Sequence, residues 1–202
     1  MPKPKSKTST TPQAPPPAAP PSWPAFKPPL PVVELYPEVH PATDNIVLLS
    51  SFFPRSLCRD YVAFLKTLPL QTTPSKPKKG EAVRVNDRFQ IDDPLFARRL
   101  GGQPVGLNPN IRIYRYSKGQ YFDCHYDDSN YLTLDSEPVR TTWTLLLYLT
   151  SSADGCVGGE TVFYPHDRKS AAEEIVISLE TGMLLLHKHG HDCLLDYLRT
   201  IA

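Results

Sequence analysis

The sequence contains no run of about 18 apolar residues, which excludes a transmembrane helix of ordinary length. No apolar stretch of signal-peptide length follows the basic amino-terminal residues either, so no secretory leader is expected. Cysteine is sparse: Cys58, Cys124, Cys156 and Cys193 are widely separated and form none of the close pairs that bind structural zinc. With no leader, that scatter predicts a reducing compartment, cytoplasm or nucleus. Excess charge is missing as well. A formal net charge of +1 supplies no long-range attraction for a phosphate backbone, which disfavours nucleic acid as partner.

Proline is what the chain has in abundance, with 14 of its 23 prolines between Met1 and Pro41. The stretch "KPKSKTSTTPQAPPPAAPPSWP" shows neither strand nor helix periodicity. Proline removes backbone donors and favours extended conformations, so residues 1–43 are predicted to be a disordered or loosely extended arm. Residues 44–202 are then predicted to be the folded domain.

Within it, "NIVLLSSFF" reads as an apolar strand. The helix after it is marked by Leu57, Tyr61, Phe64, Leu65 and Leu68, spaced to share one face. "QTTPSKPKKGEAV" reads as a surface loop. "DDPLFARRLGG" carries a short helix signature, with Asp93 as cap, Pro94 in the first position and Gly101 as the stop. From residue 109 the pattern becomes β. In "PNIRIYRY", Ile111 and Ile113 alternate with Arg112, Tyr114 and Tyr116. "YFDCHYDD", "RTTWTLLLYLT", "GGETVFYP" and "EIVISLETGMLLLHK" follow as strands without helix-length separators. The expectation is a mainly β sandwich or closed barrel buttressed by amino-terminal helices.

The strongest chemical signal is "FDCHYDDSN". His125 and Asp127 are two residues apart, so a strand would present both on one side. Joined by a distant histidine, such a pair forms the facial triad of non-haem Fe(II) oxygenases, which leaves metal positions open for substrates. The same spacing also describes an ordinary surface pair, and spacing alone leaves both readings open. A zinc hydrolase is disfavoured, because no glutamate base stands at metalloprotease spacing.

In order, "RIYRYSKGQYFDCHYDDS", "TTWTLLLYLT", "GGETVFY" and "TGMLLLHKHG" resemble the core of the 2-oxoglutarate- and Fe(II)-dependent dioxygenases. The resemblance runs from about Ile46 to Leu195 and is strongest to the prolyl-4-hydroxylase-like branch, including its intracellular fungal members. It implies a double-stranded β-helix, a jelly-roll or cupin-like barrel. It also implies Fe(II) as cofactor, 2-oxoglutarate as cosubstrate and L-ascorbate as an optional further cofactor. The implied reaction is hydroxylation of a C–H bond, with a protein side chain such as proline as substrate, O2 consumed, and succinate and CO2 released.

Residue by residue, the resemblance assigns His125 and Asp127 to the metal, and Tyr116 to a 2-oxoglutarate carboxylate. Thr161 is assigned to the cosubstrate pocket, with Glu160 as support and Gly158 and Gly159 as the preceding turn. Asn86 and Arg88, in "RVNDRFQI", are assigned either to substrate contact or to an exposed polar turn. Arg140 and Trp143 are assigned to packing or to the rim.

The sequence departs from the family at its end. Where the family carries its third ligand, in a Leu-Leu-His-Glu-Gly stretch, "DCLLDYLRTIA" places Asp196. No basic residue stands at the spacing of the family's carboxylate anchor. Asp196 and His191 remain alternatives for the absent ligand, whereas His187 reads as a structural residue in an apolar strand, and His189 falls in the turn after it. Arg199 reaches a carboxylate only if the last residues form a strand. The expectation is therefore a barrel lacking its terminal strands, the product of altered splicing or a shifted frame near His191. The alternative function is a catalytically inactive dioxygenase-like binding or regulatory module, or a non-functional truncated isoform.

Overall fold

The computed structural model describes residues 19–31, 33–73, 76–77, 79, 82–101, 107–134, 136–164, 174–189 and 198–201. In chain order the first elements are β1 (Glu38–Val39), β2 (Ile46–Leu49), α1 (Arg55–Leu65), β3 (Gln71–Thr72), β4 (Arg84–Val85), β5 (Asp87–Asp92) and α2 (Pro94–Gly101). There follow β6 (Asn110–Arg115), β7 (Tyr121–His125), β8 (Tyr131–Leu134), β9 (Glu137–Arg140) and β10 (Trp143–Leu147). The last are β11 (Thr161–Phe163), β12 (Ile175–Ile177), β13 (Leu184–Lys188) and β14 (Leu198–Ile201). No described helix is long and apolar enough to cross a membrane.

Local sequence explains most of these elements. Pro54 caps α1, and the helix buries Leu57, Cys58, Tyr61 and Leu65 along one face. The Asp93 carboxylate accepts the Phe96 backbone N–H at 2.9 Å, the cap anticipated for α2. In β6 the alternating residues divide as expected, with Ile111 and Ile113 opposite Ile91 and Phe89 of β5 in an antiparallel ladder.

Among the described residues the strands form four sheets. One has the order β1-β2-β13-β10, a second β12-β11-β14-β7-β4, a third β3-β5-β6, and β8 pairs with β9. The fold is thus mixed α/β with several small open sheets. This corrects the expectation of a mainly β, closed double-stranded β-helix, because among the described residues no sheet closes on itself. The strands are short, and β9 carries Pro138, which has no N–H to give to a further neighbour and so suits an edge. The end of the chain departs from expectation too. Instead of a missing edge, Leu198–Ile201 form β14, inserted between β11 and β7 with Val162 opposite Arg199 and His125 opposite Leu198.

Two apolar clusters support the sheets. Ile46, Phe163, Ile175, Ile177, Met183 and Leu185 form one. Phe53, Leu57, Cys58, Tyr61 and Phe96 form the other, and Trp23, Phe26 and Leu30 pack against it. Those last three belong to the proline-rich segment predicted as a disordered arm; its first 18 residues lie outside the described ones. The Trp23 Nε1–H donates to Asp93 Oδ2 at 2.7 Å, and its ring stacks on Phe96 at 4.3 Å between centroids. The Tyr61 hydroxyl donates to the Pro24 carbonyl at 3.0 Å. From residue 19 this segment is a strap across α1 and α2, held by aromatic contact because its prolines offer few backbone donors.

Candidate functional site

His125 ends β7, and Asp127 follows two residues later. The Nδ1 of His125 lies 2.8 Å from the Asp123 carbonyl oxygen, which assigns the proton to Nδ1 and turns Nε2 towards Asp127. Beneath it, the imidazole stacks on Phe122 with centroids 3.4 Å apart, and the Arg84 guanidinium sits 3.7 Å from that same ring's centre. Register explains the stack, because Arg84 of β4 is the cross-strand neighbour of Phe122 in β7.

The structure therefore brings His125 and Asp127 together, with His125 Nε2 at 3.6 Å from Asp127 Oδ1. It adds a residue that the sequence assigned to packing. The Nε2 of His187 lies 3.6 Å from the other carboxylate oxygen, Oδ2. Thr144 donates its hydroxyl to Oδ2 at 2.8 Å. Thr144 and His187 are cross-strand partners of β10 and β13, so one register places both against Asp127. A threonine inside an otherwise apolar strand was the available signal for a polar contact at this point.

His187 is almost fully buried, with Phe163 edge-on at 5.1 Å. Burial drives its pKa below the ordinary histidine value, against the opposing pull of the Asp127 carboxylate. Its Nδ1 lies 3.2 Å from the Lys188 carbonyl, while Nε2 has no hydrogen-bond partner. A neutral imidazole is the form this apolar setting supports.

These groups do not assemble a metal centre. Among the described residues, no three His, Cys, Asp or Glu side chains are arranged to hold a metal ion. The two imidazoles approach different oxygens of one carboxylate, and the oxygen facing His187 is already bonded to Thr144. What the arrangement can do is tie the end of β7 to the β10–β13 ladder through a single carboxylate. The expected Fe(II) site, and with it the oxidoreductase reading, is corrected accordingly. 2-Oxoglutarate and L-ascorbate lose the ion through which they would act. The alternatives for the third ligand, His191 and Asp196, lie outside the described residues. His189 is buried in the segment after β13, and its backbone N–H donates to the Thr142 carbonyl at 2.9 Å.

The two residues expected at a cosubstrate are engaged with other partners. The Tyr116 hydroxyl accepts from Asn86 Nδ2 at 3.1 Å, and burial raises its pKa. Asn86 is fully buried and bonded to Thr73, so it serves as an internal tether. Thr161 is buried on β11, with its hydroxyl 2.5 Å from that of Tyr148, whose pKa burial also raises. Gly158 and Gly159 form the turn anticipated before β11, which the structure shows to be left-handed with φ of 79° and 88°, and Glu160 is half-buried. Arg140 is exposed opposite Tyr131 in the β8–β9 hairpin. Trp143 is exposed at the start of β10, with Lys188 Nζ 5.3 Å from its ring centre.

Residues 111–193, from β6 to just beyond β13, match the family model of the 2OG-Fe(II) oxygenase superfamily. No curated protein matches the chain.

Proposed function

We propose that this chain acts as a non-catalytic binding module derived from the dioxygenase framework, with a protein or peptide as its partner. The observation that carries the reading is the lack, among the described residues, of three side chains arranged to hold a metal ion. Without the ion there is no centre to activate O2, and the strands that match the superfamily serve as a scaffold. In support, Asp127 Oδ2 accepts the Thr144 hydroxyl at 2.8 Å, which commits that oxygen to an intramolecular bond. The likeness to the prolyl-hydroxylase branch makes a polypeptide partner the consistent choice. We place the module in the cytoplasm or nucleus, on the wide scatter of its four cysteines in the sequence.

The test is turnover. The full chain is incubated anaerobically with Fe(II) and 2-oxoglutarate, and then exposed to O2. The expected result is no metal-to-ligand absorption band and no succinate above that of an Asp127→Ala variant. Succinate formed by the unaltered chain and lost in that variant would overturn the proposal.

A further inference from the structure

The β5–β6 ladder has one polar face that the contacts described so far leave unexplained. Alternation puts Arg88 and Gln90 of β5 on the same face as Arg112 and Tyr114 of β6, with Arg88 opposite Tyr114 and Gln90 opposite Arg112. Arg88 and Arg112 are therefore diagonal neighbours, roughly 7 Å apart. Arg84 joins them from β4, its guanidinium 5.6 Å from the centre of the Tyr114 ring, with that of Arg88 5.8 Å from the same point.

Among the described residues, none of these three arginines has a carboxylate within ion-pair distance. Arg115 on the opposite face shows the contrast, since it is bonded to Asp87 at 2.6 Å. Arg112 uses its Nε on the neutral Asn110 side chain, and Arg88 contacts Gln90 through Nη2. The Nε of Arg88 is buried without a hydrogen-bond partner. Burial disfavours the Arg88 cation, Tyr114 opposes that effect, and the charges of Arg84 and Arg112 add to it. An unneutralised group of like charges with a buried unsatisfied donor destabilises the isolated chain. An anionic ligand would relieve both costs.

We propose that Arg84, Arg88 and Arg112 bind the carboxylates of an extended acidic peptide. This names the partner of the binding module proposed above and rests on that reading. Planar guanidinium forks match carboxylates in geometry as well as charge. Alternate side chains of an extended ligand repeat every 6.6 Å or so, close to the spacing of the arginines on this face. A single-stranded nucleic acid fits less well. Tyr114, the aromatic that would stack a base, is already in cation–π contact with two arginines.

The full chain is titrated by fluorescence anisotropy with a labelled peptide of alternating glutamate and serine. Its glutamine–serine counterpart and an oligothymidylate of similar length serve as comparisons. Saturable, salt-sensitive binding of the glutamate peptide is expected, at least about tenfold tighter than either comparison. An Arg84→Gln/Arg88→Gln variant should lose about tenfold or more, Arg88→Lys should fall between, and Arg59→Gln on the exposed side of α1 should bind normally. If the double variant does not fold by circular dichroism, Arg112→Gln, at an exposed position, replaces it and should also weaken binding. Absence of saturable binding, equal affinity for the glutamine peptide, tighter binding of oligothymidylate, or arginine variants that bind normally would each overturn the inference. Succinate formation is read separately, so loss of the parent reading and loss of this one are distinguishable.

Discussion

Replacing Gly182 with alanine probes how the turn before β13 is held against the start of α1. Gly182 has φ of +87°, and a Cβ built there would lie 2.0 Å from the Phe53 carbonyl oxygen and 3.1 Å from its carbon. The same two segments share a backbone hydrogen bond, Phe53 N–H to the Gly182 oxygen at 3.0 Å, and the Gly182 N–H donates to Tyr148 at 2.8 Å. The left-handed conformation costs an L-residue roughly 1–2 kcal/mol. The clash is with backbone rather than a flexible side chain, so Phe53 or the turn must move. That displacement jeopardises both hydrogen bonds, at about 1 kcal/mol each. The expected loss is about 3–4 kcal/mol in urea denaturation with an unchanged m-value. Gly119→Ala provides the control, because Gly119 has a similar φ of +81° with nothing within 4 Å of an added Cβ. It should lose only the conformational part, about 1–2 kcal/mol. If the two variants fall within about 1 kcal/mol of each other, the close packing of Phe53 on this turn is not what demands glycine.

The Asp87 carboxylate is held below the ordinary aspartate range, first by the Thr72 hydroxyl and then by Arg115. A depressed carboxylate stabilises the fold above its unfolded pKa of about 3.9 and loses that contribution as pH falls through the folded value. Asp87→Asn should therefore be less stable at neutral pH, with the gap to the unaltered chain narrowing below about pH 4 in denaturation midpoints; a gap independent of pH would refute the assignment. Trp23→Ala should cost about 2–3 kcal/mol, because it removes both the bond to Asp93 and the stack on Phe96. A loss below about 0.5 kcal/mol would show that the strap adds nothing to the core.

What could be read before folding was what adjacent residues decide among themselves. Backbone pleat alone sets Ile111 and Ile113 apart from Arg112 and Tyr114, and a separation of two residues keeps Asp127, just past the end of β7, within reach of His125. Asp93 announces the start of α2 because a carboxylate at that position reaches a free N–H within one turn. Gly158 and Gly159 similarly mark a left-handed turn. The proline-rich composition before residue 43 could not reveal Trp23 docking on Phe96.

The sequence by itself determined these local dispositions, since each follows from dihedral geometry and from the chemistry of near neighbours. Tertiary structure alone decided that His187 meets Asp127, because that contact follows from Thr144 pairing with His187 across β10 and β13. It also inserted the final strand between β11 and β7 and left the sheets open among the described residues. Register between distant strands is selected by the burial of whole faces at once, and a one-residue slip would exchange inside for outside. Motif order carries no record of that choice, which is why the ligand pair at His125 and Asp127 and the departure from the family's third ligand at Asp196 were legible, while the meeting of His187 with Asp127 was not.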